Sequence, residues 1–336
     1  MKRWFLCLFL IAVAILAFPF RSPAPLVYRP GEGWSYESPS GKASDWRKLR
    51  AKDQLEIAQA AFDKKDYKIA MKAAQRVVTV WPLSDYAPQG QYLVGRCYEE
   101  RHQDQKAFKS YADLLSKYPK MTNADEIQGR QFEIANRFLA GEWIKLLGYI
   151  PFFPSMDKAA EMYHQIVQFG PYGPFGPPAQ MDIGAAREKQ KDYAAAVDAY
   201  EVAADRYSAQ PTVSADARYK SGLAWSKQAK KADYDQSAAG QAISAFNDFI
   251  ALFPDDPRVA EAQKIISTLK LEQAKGNFTV AQFYEKHKHL DAAQIYYNEV
   301  RLNAPDTPLA DDARKRIDAI QSGKPSAPVP APAPAK

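Results

Sequence analysis

From Asp45 onward the apolar residues of this chain recur at steps of three and four with charged residues between them, and one short pattern keeps returning. Such steps bring side chains to one face of an α-helix. In Asp66–Pro82, Tyr67 is followed by Ala70, Ala74 and Val77 before the closing Pro82. In Asp104–Pro119 the matching set is Ala107, Tyr111, Leu114 and Pro119. The set returns as Ala159, Tyr163, Ile166 and Pro171, as Ala242, Phe246, Phe249 and Pro254, and as Ala293, Tyr297, Val300 and Pro305. Another copy has Ala196, Tyr200 and Ala203 but delays its proline to Pro211. The alanine predicts close approach of a partner helix, at the short end of about 8–10 Å. The aromatic is expected to fill the gap to the next hairpin. The proline ends the helix, because its ring clashes with a continuing turn. Tyr111, Tyr163, Tyr200, Phe246 and Tyr297 are therefore assigned to the core rather than to ligand contact.

Each of these helices follows another that carries a small residue and, three positions on, an aromatic. The pairs are Gly95/Tyr98, Ala135/Phe138, Gly222/Trp225 and Ala281/Tyr284. This order is that of tetratricopeptide repeats, nominally about 34 residues long. The fold class predicted is all-α: a right-handed α-solenoid of about six helical hairpins. A last helix within LADDARKRIDAIQSG caps it, stopped by Gly323.

Interruptions set the expected boundaries. Residues 1–20 open Met-Lys-Arg and continue apolar from Trp4 to Phe20, the pattern of a secretory signal or an uncleaved N-terminal anchor. Cys7 stands at the front of that apolar run, so it is not a lipobox cysteine. Residues 21–45 are rich in Pro, Gly and Ser and read as an extended linker that gives reach but not a fold. An N-terminal module is expected over 46–173 and a C-terminal module over 174–322. Phe169–Gln180 forms the joint, since no regular helix is expected in so many glycines and prolines. The apolar insert Trp143–Met156 reads either as a longer helix and turn folded back on the stack or as a protruding loop that touches a membrane or a partner. Lys227–Gly240 reads as a polar surface extension, and 323–336 as a Pro/Ala-rich, polyproline-like tail.

Charge adds little to this picture. The chain holds 45 basic and 39 acidic residues, a net charge of +6, with no block of like charge long enough to suggest nucleic acid. The mixed signs read as solvated helix faces. Cys97 has no internal disulfide partner beyond the leader and is expected to be a small buried hydrophobe. No GxSxG, HExxH or phosphate-binding glycine loop occurs. His102 and His164 are isolated, His287 and His289 point to different sides, and Glu99–Glu100 and Asp311–Asp312 read as solvated pairs. No catalytic residue, metal site or cofactor is predicted, and the chain is not expected to be an enzyme.

Function is then expected on the surface. In a stack of hairpins the first helices line a groove. The register places Gln59, Phe62, Tyr92, Arg96, Glu99, Phe132 and Asn136 there, a set suited to an extended or C-terminal peptide with apolar side chains and a carboxylate.

Leu271–Ile320, with Ala281, Phe283, Tyr284 and Lys286, then Ala292–Ala293 and Pro305–Asp306–Thr307, resembles the last repeat of the BamD family of outer-membrane assembly components. Asp66–Gly95 resembles that family's opening through Pro82, Ser84, Tyr86 and Ala87. The resemblance implies a periplasmic scaffold at the outer membrane. Its N-terminal repeats would meet unfolded outer-membrane proteins, and its C-terminal repeats would dock on a BamA-like insertase. The family is normally lipid-anchored, so attachment here would run through an uncleaved leader, which would place the chain at the inner membrane, or through partners. Nine residues before the PDT proline, where the family often has arginine, this chain has Tyr296, with Arg301 nearby; these two are the expected docking residues. Two other readings stand beside this one: a periplasmic coordinator of cell-wall synthesis or envelope constriction, and a non-catalytic regulator of an envelope enzyme.

Overall fold

The computed structural model describes residues 46–119, 123–141, 156–231 and 236–323, together with the backbone of four short strands. Residues 1–20 and the tail after Gly323 lie outside the described residues. The chain divides into two compact units, Met1–Met121 and Thr122–Lys336.

The first unit holds two hairpins: α1 (Ala51–Asp63) with α2 (Tyr67–Val80), and α3 (Ala87–Glu100) with α4 (Asp104–Lys117). The second holds α5 (Ala124–Leu139) with α6 (Met156–Phe169), α7 (Gly176–Lys189) with α8 (Tyr193–Arg206), α9 (Pro211–Lys231) with α10 (Gln236–Leu252), and α11 (Val259–Lys286) with α12 (Leu290–Asn303), followed by α13 (Pro308–Ser322). Within each unit consecutive helices pack on one another. The described residues thus form six hairpins and a terminal helix, an all-α fold of tetratricopeptide-type solenoid.

The recurrent aromatics are buried, but they pack differently from the expectation. Tyr111 on α4 lies over Gly95 on α3, Tyr200 on α8 over Gly184 on α7, and Phe246 on α10 over Gly222 on α9. Each therefore fills the seam inside its own hairpin rather than the gap to the next. The small residue on the first helix is the socket, and the ring is the plug. The tyrosine hydroxyls are satisfied there too. Tyr111 donates to Glu99 at 2.7 Å and Tyr297 to Glu285 at 2.6 Å, each carboxylate lying four positions beyond the small residue. Glu188 holds the same place opposite Tyr200 and raises its pKa after burial has already done so. Where Phe246 has no hydroxyl, the place is taken by Ser226, which donates to its own helix at Gly222.

The first-to-second-helix turns share a conformation. Lys65, His102, Lys191 and Lys288 adopt positive φ, and the amide after each bonds back five residues at 2.9–3.0 Å. This is the left-handed helix ending in which glycine is usual. Asp66 and Asp192 then cap the second helices by accepting from Ile69 and Ala195. At the far end α13 buries Ala313 and Ile317, and Arg316 meets Glu285 at 3.3 Å with both side chains nearly buried.

The interruptions take other forms than expected. Phe169–Gln180 is not a joint between modules: the units divide at Met121, and α6 and α7 pack together. Nor does it lack helix, since Pro177 and Pro178 sit in the first turn of α7, where a missing N–H costs nothing. The apolar insert extends no helix. Trp143–Leu146 and Ile150–Pro154 pair as an antiparallel ladder with an irregularity between Ile144 and Lys145, in keeping with prolines at Pro151 and Pro154 that a helix interior excludes. The linker also carries a ladder, with Leu26–Arg29 paired to Gly33–Tyr36. The polar insert is largely absorbed by lengthening α9 to 21 residues and α10 to 17.

Candidate partner-binding faces

In the first unit, α1 and α3 bring four of the predicted residues together. The Arg96 guanidinium lies 5.3 Å over the Phe62 ring. It approaches the Tyr92 hydroxyl at 3.5 Å and donates to Glu100 at 3.3 Å, while its Nε stands 3.9 Å from Glu99. That Nε is buried and has no hydrogen-bond acceptor. Burial opposes the Arg96 charge, yet the Tyr92 and Glu100 contacts outweigh it and hold the guanidinium above its ordinary pKa. Phe62 meets Tyr67 edge-on at 5.5 Å, and Tyr92 tilts against Tyr111 at 6.1 Å. Glu99 is not the solvated carboxylate expected, because the Tyr111 hydroxyl claims it. Gln59 stands apart, donating to Asp63 on its own exposed face.

In the second unit, Phe132 packs between Tyr163 at 5.7 Å and Phe175 at 5.6 Å, and Asn136 accepts from the Tyr163 hydroxyl at 2.6 Å. Asp182 on α7 escaped the sequence reading. Burial raises its carboxyl to about 6, against the pull of Lys220 and Lys189. Its charge in turn adds to the burial that raises Tyr163 and Tyr200. A buried amide row also escaped notice: Gln91 and Gln180 donate across their hairpins to the Ser110 and Ala199 carbonyls, both at 3.1 Å. Gln131 and Asn277 occupy the same register, four positions before the small residue, and are buried.

At the C-terminal hairpin, Tyr296 stacks on Tyr284 at 5.6 Å and 11°, so it is committed to packing. Arg301 is exposed. Beside it on α12, Ile295 and Leu302 are 62% and 70% exposed, seven positions apart on one helical face. His287 bonds to the Phe283 carbonyl and His289 sits against Tyr284. Cys97 is free and buried, and burial pushes its thiol up to about 11, which makes it inert. Among the described residues no group of three His, Cys, Asp or Glu is placed to hold a metal ion, and no helix is long and apolar enough to cross a membrane.

Residues 154–322 match the model of the YfiO family, described as outer membrane lipoprotein. The chain belongs to this family. Residues 89–120 match a tetratricopeptide repeat model. No curated protein matches the chain. Among solved structures it is similar to the C-terminal part of a tetratricopeptide protein from Cytophaga hutchinsonii, at 14% identity over 79% of this chain and 87% of that one, with a TM-score of 0.34. It is also similar to a tetratricopeptide protein from Parabacteroides merdae, at 14% identity over 81% and 98%, TM-score 0.33. A third is MamA from Desulfovibrio magneticus, at 14% identity over 62% and 97%, TM-score 0.30. The match spans α6 through α13 of the second unit, and the family is one of the cell envelope.

Proposed function

We propose that this YfiO-family chain is a periplasmic scaffold of outer-membrane β-barrel assembly, holding proteins rather than turning over a substrate. The observation that carries the reading is the family match ending on α13, the same region that exposes Ile295, Leu302 and Arg301 on α12. An apolar stripe with an adjacent guanidinium suits a partner surface of apolar residues edged by carboxylates. The partner proposed is a BamA-like insertase. Photo-crosslinkers placed at Ile295 and Leu302 in cells are expected to capture it. Capture of cell-wall synthases without any insertase would instead support a coordinator of cell-wall synthesis.

On the same reading, unfolded outer-membrane proteins are held by the Phe62–Tyr92–Arg96 face of the first unit. Phe62 and Tyr92 supply apolar rings, and the Arg96 guanidinium over Phe62 supplies the positive charge that a peptide carboxylate would meet. Replacing Tyr92 and Arg96 by alanine should weaken peptides that end in an aromatic residue by roughly tenfold. Unchanged affinity in a folded variant would remove this face from the proposal.

A further inference from the structure

The first unit carries more positive charge than its share. Residues 46–119 hold fourteen Lys and Arg against nine Asp and Glu, while the described residues of the second unit hold 22 against 24. Part of that surplus converges on one place. An open groove of about 680 Å³ runs along α2 to the end of α3, with Lys65, Lys68, Lys72 and Arg101 on its walls and Met71, Tyr67 and the single carboxylate of Asp66 between them.

None of the four cations forms an ion pair among the described residues; Arg101 only approaches the Met71 sulfur at 4.0 Å. Elsewhere on the molecule paired surface cations are common, as in Arg130–Glu126, Arg187–Asp157 and Lys275–Glu272. The nearby carboxylates are engaged. Asp66 is spent as the α2 cap, Asp63 accepts from Gln59, and Glu100 takes Tyr67 and Arg96. Lys68 and Lys72 also stand one helical turn apart, a like-charge spacing that works against the helix. A groove that gathers repelling charges without internal partners is arranged for an external anion.

We infer that this groove seats the phosphate-bearing headgroups of an anionic membrane surface and so lays the first unit against the bilayer. The charge complementarity selects an anion. The choice of a membrane rests on the envelope placement proposed above, which brings a phospholipid leaflet within reach. Several separate cations with an apolar floor suit a field of headgroups better than one small ion.

Flotation of the full chain with vesicles tests this at fixed ionic strength. Pure phosphatidylcholine vesicles report whatever the apolar N-terminal run contributes, and added phosphatidylglycerol reports the groove. Wild type should prefer the anionic vesicles. Neutralising two membrane-facing cations costs roughly fivefold each, so K68Q/K72Q should lose roughly 25-fold of that preference. K264Q/K270Q changes net charge equally at exposed lysines of α11 and should lose less than about twofold. Circular dichroism confirms that both pairs fold. No preference for anionic vesicles, or equal loss in the two pairs, overturns the inference. Displacement by inorganic phosphate, or tighter binding of polyglutamate than of vesicles, overturns it in favour of a soluble anion or an acidic protein. Crosslinking at Ile295 reads the docking proposal separately, so insertase capture alongside failed flotation would sink only this inference.

Discussion

A few side chains hold chemistry that their neighbours in sequence do not announce. Asp182 is the clearest. Its carboxyl is raised to about 6 by burial, so between the ordinary carboxylate range and that value the folded chain binds a proton that the unfolded chain has released. Stability contributed at this site is therefore highest in acid and falls as pH rises through about 6. Asp182→Asn should stabilise the chain by about 1–2 kcal/mol at neutral pH, after allowance for partial solvent screening. The gain should vanish below the carboxylate range, as urea titrations at several pH values would report. A gain that persisted in acid would mean that shape, not charge, was responsible. Arg96 and Asp66 teach the complementary lesson. Composition counts each as one surface charge, yet Arg96 is shared among an aromatic ring, a phenol and two carboxylates, and Asp66 is consumed by a helix end. The basic groove has no signature in the sequence: its lysines stand next to Asp63 and Asp66, whose oxygens turn instead to Gln59 and to a helix end.

Among the elements, the hairpin is the repeating unit of packing, and its seam is a ring on a small residue. At Gly95 an added methyl would meet the Tyr111 ring, which is itself wedged by Glu99 and Tyr92 and cannot swing aside. Gly95→Ala should therefore destabilise the first unit by about 1–3 kcal/mol, read as a lower urea midpoint. A neutral result would show that the seam is looser than this. The same comparison explains which hairpin features were legible. Alanine, aromatic and proline recur at regular offsets and could be read directly. The buried Gln91, Gln131, Gln180 and Asn277 recur just as regularly, but polar residues on a helix read as surface until a partner carbonyl is known. The left-handed turns were hidden because lysine and histidine fill the places where glycine would have signalled them.

For the whole molecule, the division between Met121 and Thr122 gives each unit its own buried core. A fragment covering 122–323 is thus expected to fold alone, with helical circular dichroism and a single cooperative thermal transition. A fragment lacking cooperative melting would show that the second unit depends on the first. The family match lies within that second unit, so such a fragment also isolates the proposed docking surface on α12 from the peptide face around Arg96. By itself the sequence determined the helical hairpins, their number, the capping helix and the family resemblance, because each depends on local periodicity and on residues adjacent in the chain. Which seam the aromatics fill, where the units part, how the apolar insert pairs and which cations lack an ion partner follow instead from packing between distant segments. Those outcomes depend on what approaches from another helix, and a one-dimensional pattern carries no distance between residues that are far apart along it.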